Sequence, residues 1–493
     1  MPKWTPWLVL AGASLGHAHA SAPPPTPRPS DDWGDMGTSA PADPWVDMSD
    51  LPVPDPPAPE PSHLSLLGFL RQRVGAWLEP DAGRFLSTAR TSLDASLEYR
   101  DAPWRLVLGG HADYDPAYSA WAGEDSPAAS DVYQSSLSLR RTYVELALPR
   151  NDAALGWQTV SWGQGNILSP LDIVTPKDRR EPGLTELDDL RVPVLSTRLG
   201  LTLGAHRLEA VFVHEAAFNR MSPPRGRYSP VAPLLPPDLG PRSLGHEIVG
   251  KDLAYAHTPE RYSLAAQQAF LRWSWAGSGL DLALHLASAL DLQGVPRRLD
   301  VADTSRDRII IPLHHDRYAL VGTSGVVTLR SVIFKWEAAY VHDRPLARLY
   351  HDAAGVATMA LTHARVLDLM VGVTLDPSPD TQLAIELLDS TFLAAPAGEY
   401  LFHPELPQLA VRLTQRALDQ DLTSEIVFLA QADQDALVAG LLRVGVDYRF
   451  IDGLSAGLGL VLFLPGDRRT GWLSGLDAAG QAYARLRWDF SLR

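Results

Sequence analysis

The segment Tyr483-Ala-Arg-Leu-Arg-Trp-Asp-Phe-Ser-Leu492 sorts its side chains into two opposite sets. Ala484, Leu486, Trp488, Phe490 and Leu492 fall on one face, and Tyr483, Arg485, Arg487, Asp489 and Ser491 on the other. Successive residues of a strand point to opposite sides, so this stretch has one apolar and one charged face. A soluble sheet shows such alternation too. The constraint comes from its recurrence along most of a chain that also carries an export signal. That combination is expected of a barrel whose outer face meets lipid and whose inner face meets water.

Lys3, the apolar run 7–15 and Ala18-His-Ala20 read as the three parts of a signal peptide over residues 1–20. That run is too short to span a bilayer as a helix, and no later segment offers roughly 18 uninterrupted apolar residues. With no cysteine, the chain has no disulfide framework, thiolate metal site or cysteine nucleophile. Residues 22–62 carry Asp31, Asp32, Asp35, Asp43, Asp47, Asp50, Asp55 and Glu60 against one base, Arg28. That is about half of the net charge of −15, which argues against a nucleic-acid partner. The same stretch holds Pro23, Pro24, Pro25 and the run Pro52-Val-Pro-Asp-Pro-Pro-Ala-Pro-Glu-Pro61, which favour extended, unpacked chain. Residues 21–62 are therefore expected to form a disordered periplasmic linker. The sharper reading is an arm that docks a periplasmic partner through Trp33, Trp45 and Met48.

From about residue 63 to residue 493 the chain reads as a single transmembrane antiparallel β-barrel. Alternation predicts strands at 64–79, 84–101, 104–114, 134–148, 153–163, 194–203, 205–216, 264–275, 279–291, 316–328, 331–343, 364–376, 381–392, 407–418, 422–433, 436–450, 454–464 and 481–492. That is 18, an even number as a single-chain bacterial barrel requires; 16 is the alternative, because 64–79 and 316–328 alternate least cleanly. Short turn-rich connections mostly alternate with long ones at about 115–133, 164–193, 217–263, 292–315, 344–363, 393–406 and 465–480. Two points run against this scheme. The short turns 80–83 and 102–103 are consecutive, and Asp433-Gln-Asp435 is brief for an outer loop. A soluble β-propeller or β-sandwich is the main rival fold, and the absence of a repeat of roughly 40–50 residues weighs against a propeller.

With the polar faces turned to the lumen, the lining charges are Arg90, Asp94, Glu98, Arg272, Asp281, His285, Lys335, Glu337, Arg412, Arg416, Glu425, Arg443, Asp447, Arg449, Arg485, Arg487 and Asp489. Basic groups gather on the last strands, and arginine ladders favour anions. The alternative is that Glu425, Asp447 and Asp489 pair with them and brace the wall. The dense charges of 164–193 suggest a loop that folds inward, with Lys177, Arg179, Arg180, Asp188, Asp189 and Arg191 as constriction residues. An outer loop held by its own ion pairs is the other reading. The Pro-rich connection 217–263, with Pro223-Pro-Arg-Gly-Arg227, is a second candidate plug.

No catalytic set, cofactor motif or metal site stands out. Gly12-Ala-Ser-Leu-Gly16 matches a serine-hydrolase pattern, but within the signal peptide. His314-His-Asp316 places adjacent side chains on diverging directions, so a solvated loop or strand start is expected there.

The run from Trp157-Gln-Thr-Val-Ser-Trp-Gly-Gln-Gly165 through Ser169-Pro-Leu-Asp172 and Pro176-Lys-Asp-Arg-Arg-Glu181 to Arg191-Val-Pro-Val-Leu195 and Arg207-Leu-Glu-Ala-Val-Phe212 resembles a poorly characterised porin-like family of bacterial outer-membrane barrels. The resemblance covers roughly residues 155–215. It implies a barrel in the outer membrane of a Gram-negative bacterium and passage of some compound, with no substrate attached. The partners expected are outer-membrane lipid, a small hydrophilic or amphiphilic solute and the barrel-assembly machinery. The chain departs from ordinary porins in its Pro-rich arm, and in Ser491, Leu492 and Arg493 following the last aromatic residue, Phe490. A non-enzymatic channel is the leading expectation. The alternative is a structural outer-membrane component of an envelope-spanning complex, tethered through the arm.

Overall fold

The computed structural model describes residues 63–80, 85–120, 127–224, 226–229, 252–296, 308–351, 357–396, 398–400, 407–432, 437–464, 473 and 475–492. The signal peptide, the arm at 21–62 and the chance elbow at 12–16 lie outside them. All the described residues belong to one compact unit, Pro59–Arg493. No helix among them is long and apolar enough to cross a membrane.

Eighteen strands form the wall. They are β1 (His63–Trp77), β2 (Leu86–Asp101), β3 (Trp104–Tyr114), β4 (Ser135–Ala147), β5 (Asn151–Gln158), β6 (Val194–Leu203), β7 (His206–Val213), β8 (Gln268–Ala276) and β9 (Leu280–Leu290). They continue with β10 (Arg317–Leu329), β11 (Val332–His351), β12 (Ala357–Ser378), β13 (Thr381–Ala394), β14 (Gln408–Ala417), β15 (Leu422–Ala432), β16 (Leu437–Ile451), β17 (Leu454–Leu464) and β18 (Gln481–Leu492). Each pairs antiparallel with its neighbours in sequence. β1 also pairs with β18, from Leu66 opposite Leu492 to Trp77 opposite Gln481, which closes an 18-stranded barrel. Closure leaves no sheet edge along the hydrocarbon, where an unpaired backbone group costs several kcal/mol. A two-residue strand, Glu399–Tyr400, extends the sheet above β11.

The burial pattern is inverted relative to a soluble protein. Leu458 is 68% exposed while Glu337 is 1% exposed. Leu93, Leu106, Leu199 and Phe334 stand on the outer face, and Arg71, Arg73 and Glu98 are buried inside. Alternation alone produces this, because each strand turns one set of side chains each way.

The turns 102–103, 148–150, 204–205, 277–279, 330–331, 379–380, 418–421 and 452–453 fall at one end, with the start of β1 and the end of β18. All other connections fall at the opposite end. The short connections after β1 and after β2 are at opposite ends, so the one after β1 is a short connection at the end of the long ones. The brief connection at 433–436 lies outside the described residues.

The structure also corrects several expectations. The segment expected at 153–163 ends as a strand at Gln158, where the chain turns into the lumen. The expected loop 344–363 is mostly strand, since β11 runs to His351 and β12 starts at Ala357. Alternation along β9 puts Leu290 on the same face as the exposed Leu284 and Leu286. It is instead buried beside Ala216, Ala266 and Phe218 of an outer connection. His315 is no solvated residue: it is 3% exposed and lies 2.9 Å from the His257 ring.

Candidate functional site

The connection from β5 to β6, residues 159–193, runs through the barrel. It carries its own apolar residues inward: Val160, Trp162, Leu171 and Val174 are buried against Val194, Val211, Phe270, Leu320 and Val341. Farther along, Leu168 and Leu184 pack with Met370, Leu429 and Leu441. These contacts place the segment in the lumen. Its polar contacts fix where it crosses.

On one side, two wall carboxylates are wrapped by loop backbone. Glu337 on β11 accepts from the N–H groups of Gln164 (2.5 Å), Gly165 (3.0 Å) and Leu171 (3.1 Å), and from the Ser169 hydroxyl (2.8 Å). Glu386 on β13 accepts from the N–H groups of Asn166 (2.5 Å), Ile167 (2.9 Å) and Leu168 (2.9 Å). Successive N–H groups turned toward one carboxylate form an anion-binding concavity. The local sequence allows so tight a turn. A Cβ at Gly163 would lie 1.9 Å from the Ser169 hydroxyl, and one at Gly165 would lie 1.8 Å from the Leu168 carbonyl. Lys335 adds a bond from its ammonium to Asn166 at 3.0 Å.

On the other side the polarity is reversed, with wall arginines reaching to loop acids. Glu181 lies between Arg73 of β1 (2.6 Å) and Arg90 of β2 (2.8 Å). Asp189 pairs with Arg71 of β1 and Arg140 of β4, both at 2.5 Å. Glu186 pairs with Arg485 of β18. Burial by itself would raise the Glu181 carboxyl, but Arg90 and Arg73 hold it down at about 2. Asp189 and Glu186 are lowered in the same way: the pairing arginines outweigh burial. β2 and β11 are nine strands apart on an 18-strand ring (11 − 2), so the loop is fastened to opposite walls.

The constriction residues expected from sequence divide between two roles. Asp189 reaches the wall. Lys177 (3.0 Å) and Arg191 (2.9 Å) both pair with Asp172, and Arg180 pairs with Asp178 (2.6 Å), all within the loop. Arg179 donates to Gln293 at 3.4 Å. The Asp188 side chain lies outside the described residues. The loop is thus held by its own ion pairs and by both walls.

The expected lining charges differ in their surroundings: Glu337 is buried, whereas Arg416 and Asp489 are exposed. Asp94 is 3.1 Å from His111 and 3.3 Å from Arg140, and Glu98 accepts from Arg105 at 2.6 Å. Arg272 lies over the Trp162 ring at 5.6 Å, and His285 is buried against the same ring, 3.1 Å from the Ser324 hydroxyl. Asp281 opposes Ala276 and Val326, and Arg443 opposes Val427 and Val461. The C-terminal arginines are mostly paired: Arg412 with Glu425 (2.6 Å), Arg485 with Asp447 (2.5 Å), Arg487 with Asp489 (2.9 Å) and Arg449 with Asp421 (2.8 Å). Arg416 is exposed near the 418–421 turn. Of the second candidate plug, Arg227 stacks over Trp77 at 4.4 Å and Tyr228 packs with Phe463, which places 226–229 across the outer part of the lumen. Arg225 and 230–251 lie outside the described residues.

Sequence reading had passed over Glu386, Glu181, Glu186, Arg71, Arg73 and Arg140. Glu386 carried a signal, as the one acid among Ala384, Leu388 and Ser390 on an inward face. So did Arg71 and Arg73, two residues apart on a strand already expected.

Two spaces lie beside the loop among the described residues. A small one of about 40 Å³ lies among Arg71, Arg73, Arg90, Asp113, Arg140 and Asp189. A larger one of about 520 Å³ lies against β10 to β16 and is lined by aliphatic and polar groups. Among the described residues, no group of three or more His, Cys, Asp or Glu is arranged to hold a metal.

A closed antiparallel barrel, apolar outside and charged within, with a loop fastened across its lumen, is the architecture of a transmembrane β-barrel. Residues 80–234 match a family model described as a protein of unknown function (DUF1302). That span takes in β2 to β7, the loop across the lumen and the region of the resemblance noted above. No curated protein matches the chain. Among solved structures, Acinetobacter baumannii OccAB3 is similar at 9% identity and a TM-score of 0.48, covering 87% of this chain and 99% of that one. Pseudomonas aeruginosa OccK9 (OpdG) is similar at 10% identity and a TM-score of 0.48, with 87% and 98% covered. OccK8 (OprE) of the same organism has 10% identity and a TM-score of 0.47, with the same coverage.

Proposed function

We propose that this protein is a gated channel that passes a small hydrophilic or amphiphilic solute through a charged lumen, with residues 159–193 setting the narrowest point. The observation that carries this is the fastening of the loop to opposite walls, by arginine pairs at β1, β2, β4 and β18 and by carboxylates at β11 and β13. A segment that only capped the barrel would need no contact with Glu386 in the interior. The inward charges replace part of a solute's hydration, and the constriction residues set what fits. Because most C-terminal arginines stand beside acids, a strong preference for anions is not expected of them. No bond-making chemistry is invoked. The barrel-assembly machinery and a periplasmic partner of residues 22–62 belong to the same reading.

Single-channel recording of the purified protein in a planar bilayer, under a salt gradient, tests it. Stable steps that grow when Glu337→Gln loosens the loop would support a gated channel. Folded protein that never conducts, even with the loop loosened, would defeat it and favour a structural role in the envelope.

A further inference from the structure

The smaller space, on the charged side of the loop, is framed by arginines that the sheet register brings together. Arg73 stands directly opposite Arg90 of β2 and Arg485 of β18, and Arg71 directly opposite Arg487. Like charges directly opposed across a sheet repel. Glu181, Glu186 and Asp189 of the loop answer part of that charge. They do not answer all of it. The described residues lining the space include six arginines and five carboxylates, which leaves one positive charge over (6 − 5).

The hydrogen bonds point the same way. Arg71 Nη1 and Arg73 Nε are buried and have no hydrogen-bond partner. The Nε groups of Arg90 and Arg140 lack one too, although Asp115 and Asp94 stand 3.6 and 3.3 Å away. Among the described residues, no carboxylate oxygen of this lining is left in that state. Buried donors left unmade are costly, so the space is short of acceptors rather than of donors. Arg71 and Arg73 are each 7% exposed, and their remaining nitrogens are committed to Ser92 and Asp189, and to the Leu184 carbonyl and Glu181. Their guanidinium planes are therefore fixed before any ligand arrives. The space measures about 40 Å³. A water needs roughly 10–15 Å³ and a drug-sized solute several hundred, so the room suits a small ion. We propose that it is the binding site of a resident monoanion of halide size, held by Arg71 and Arg73, which completes the charge balance between the wall and the loop. The ion is a structural ligand and not the transported solute. Only its effect on gating rests on the channel reading.

The test uses the full-length protein in detergent, with gluconate replaced stepwise by chloride or bromide at constant ionic strength. Either halide should raise the thermal unfolding midpoint by roughly 2–4 °C along a saturating curve, as a bound ligand does and screening does not. Crystals grown in bromide should show an anomalous peak between Arg71 and Arg73. In bilayers, the fraction of time spent open should rise as chloride is withdrawn. Arg71→Lys keeps a charge beside Asp189 but loses the second amino group, and should abolish the saturating shift. Arg449→Gln, at the far rim, should keep it. A wild-type midpoint indifferent to halide, a result that needs no variant, would overturn the inference. A bromide peak without the shift would mean an adventitious ion only and would overturn it too. The rival occupant is the carboxylate of Asp188. In that case the wild type ignores halide and Asp188→Asn acquires the dependence. A protein that never conducts but keeps the halide shift would sink the channel reading alone. One that conducts without the shift would sink this inference alone.

Discussion

On the side of β1, β2, β4 and β18, the lumen-crossing loop is held by arginines of the wall that grip carboxylates of the loop. On the side of β11 and β13, the wall supplies the carboxylates and the loop answers with backbone N–H groups. The first arrangement buries full charges in pairs. Such pairs contribute little net stability when made, but leave an uncompensated charge when one partner is lost. The second uses mainly backbone donors, which do not titrate and which no side-chain substitution removes, with the Ser169 hydroxyl added. On the channel reading, the charged side is expected to act as the latch that releases first and the amide side as the hinge.

Acid offers the sharpest way to break this contrast. Glu181 has a folded value of about 2 against an ordinary 4.5, so its contribution is present above about 4.5 and is lost as pH falls toward 2. Asp189 and Glu186 are lowered too and act in the same direction. Conductance should stay constant from pH 7 to 5 and rise between about 4.5 and 2. A rise complete by pH 5.5 would place the gate elsewhere.

Single substitutions should have smaller effects. Arg90→Met leaves Glu181 with Arg73 alone and should lower stability by about 3–5 kcal/mol, read from urea unfolding in detergent. Glu386→Gln keeps one acceptor for the loop amides and should cost about 2–3 kcal/mol. If Glu386→Gln proves the more damaging, the assignment of hinge and latch is reversed. Arg449→Gln removes an exposed pair with Asp421 at the turn end and should cost under about 1 kcal/mol, with unchanged conductance. A large effect there would mean that the latch extends to the rim.

Much of the barrel was readable before any coordinates. The strands expected at 104–114, 194–203, 454–464 and 481–492 coincide with β3, β6, β17 and β18. The two least certain, 64–79 and 316–328, are β1 and β10. The misjudged boundaries have a physical pattern. β11 and β12 run on past the region of clean alternation, as their register shift between Val341 and Arg344 shows. β5 stops early because Trp162 finds a pocket inside the barrel rather than a place in the wall.

By itself, the sequence determined the barrel and its inside and outside, because a strand's side chains alternate faces and only one face tolerates lipid. It also marked 164–193 as unusual through its density of charge. Only the tertiary structure decided that this loop crosses the lumen, which wall each charge meets, and that Glu337 and Glu386 bind backbone rather than arginine. Those outcomes depend on contacts between residues such as Gln164 and Glu337 that are far apart in sequence. Local periodicity carries no record of such pairings; chain closure and burial create them.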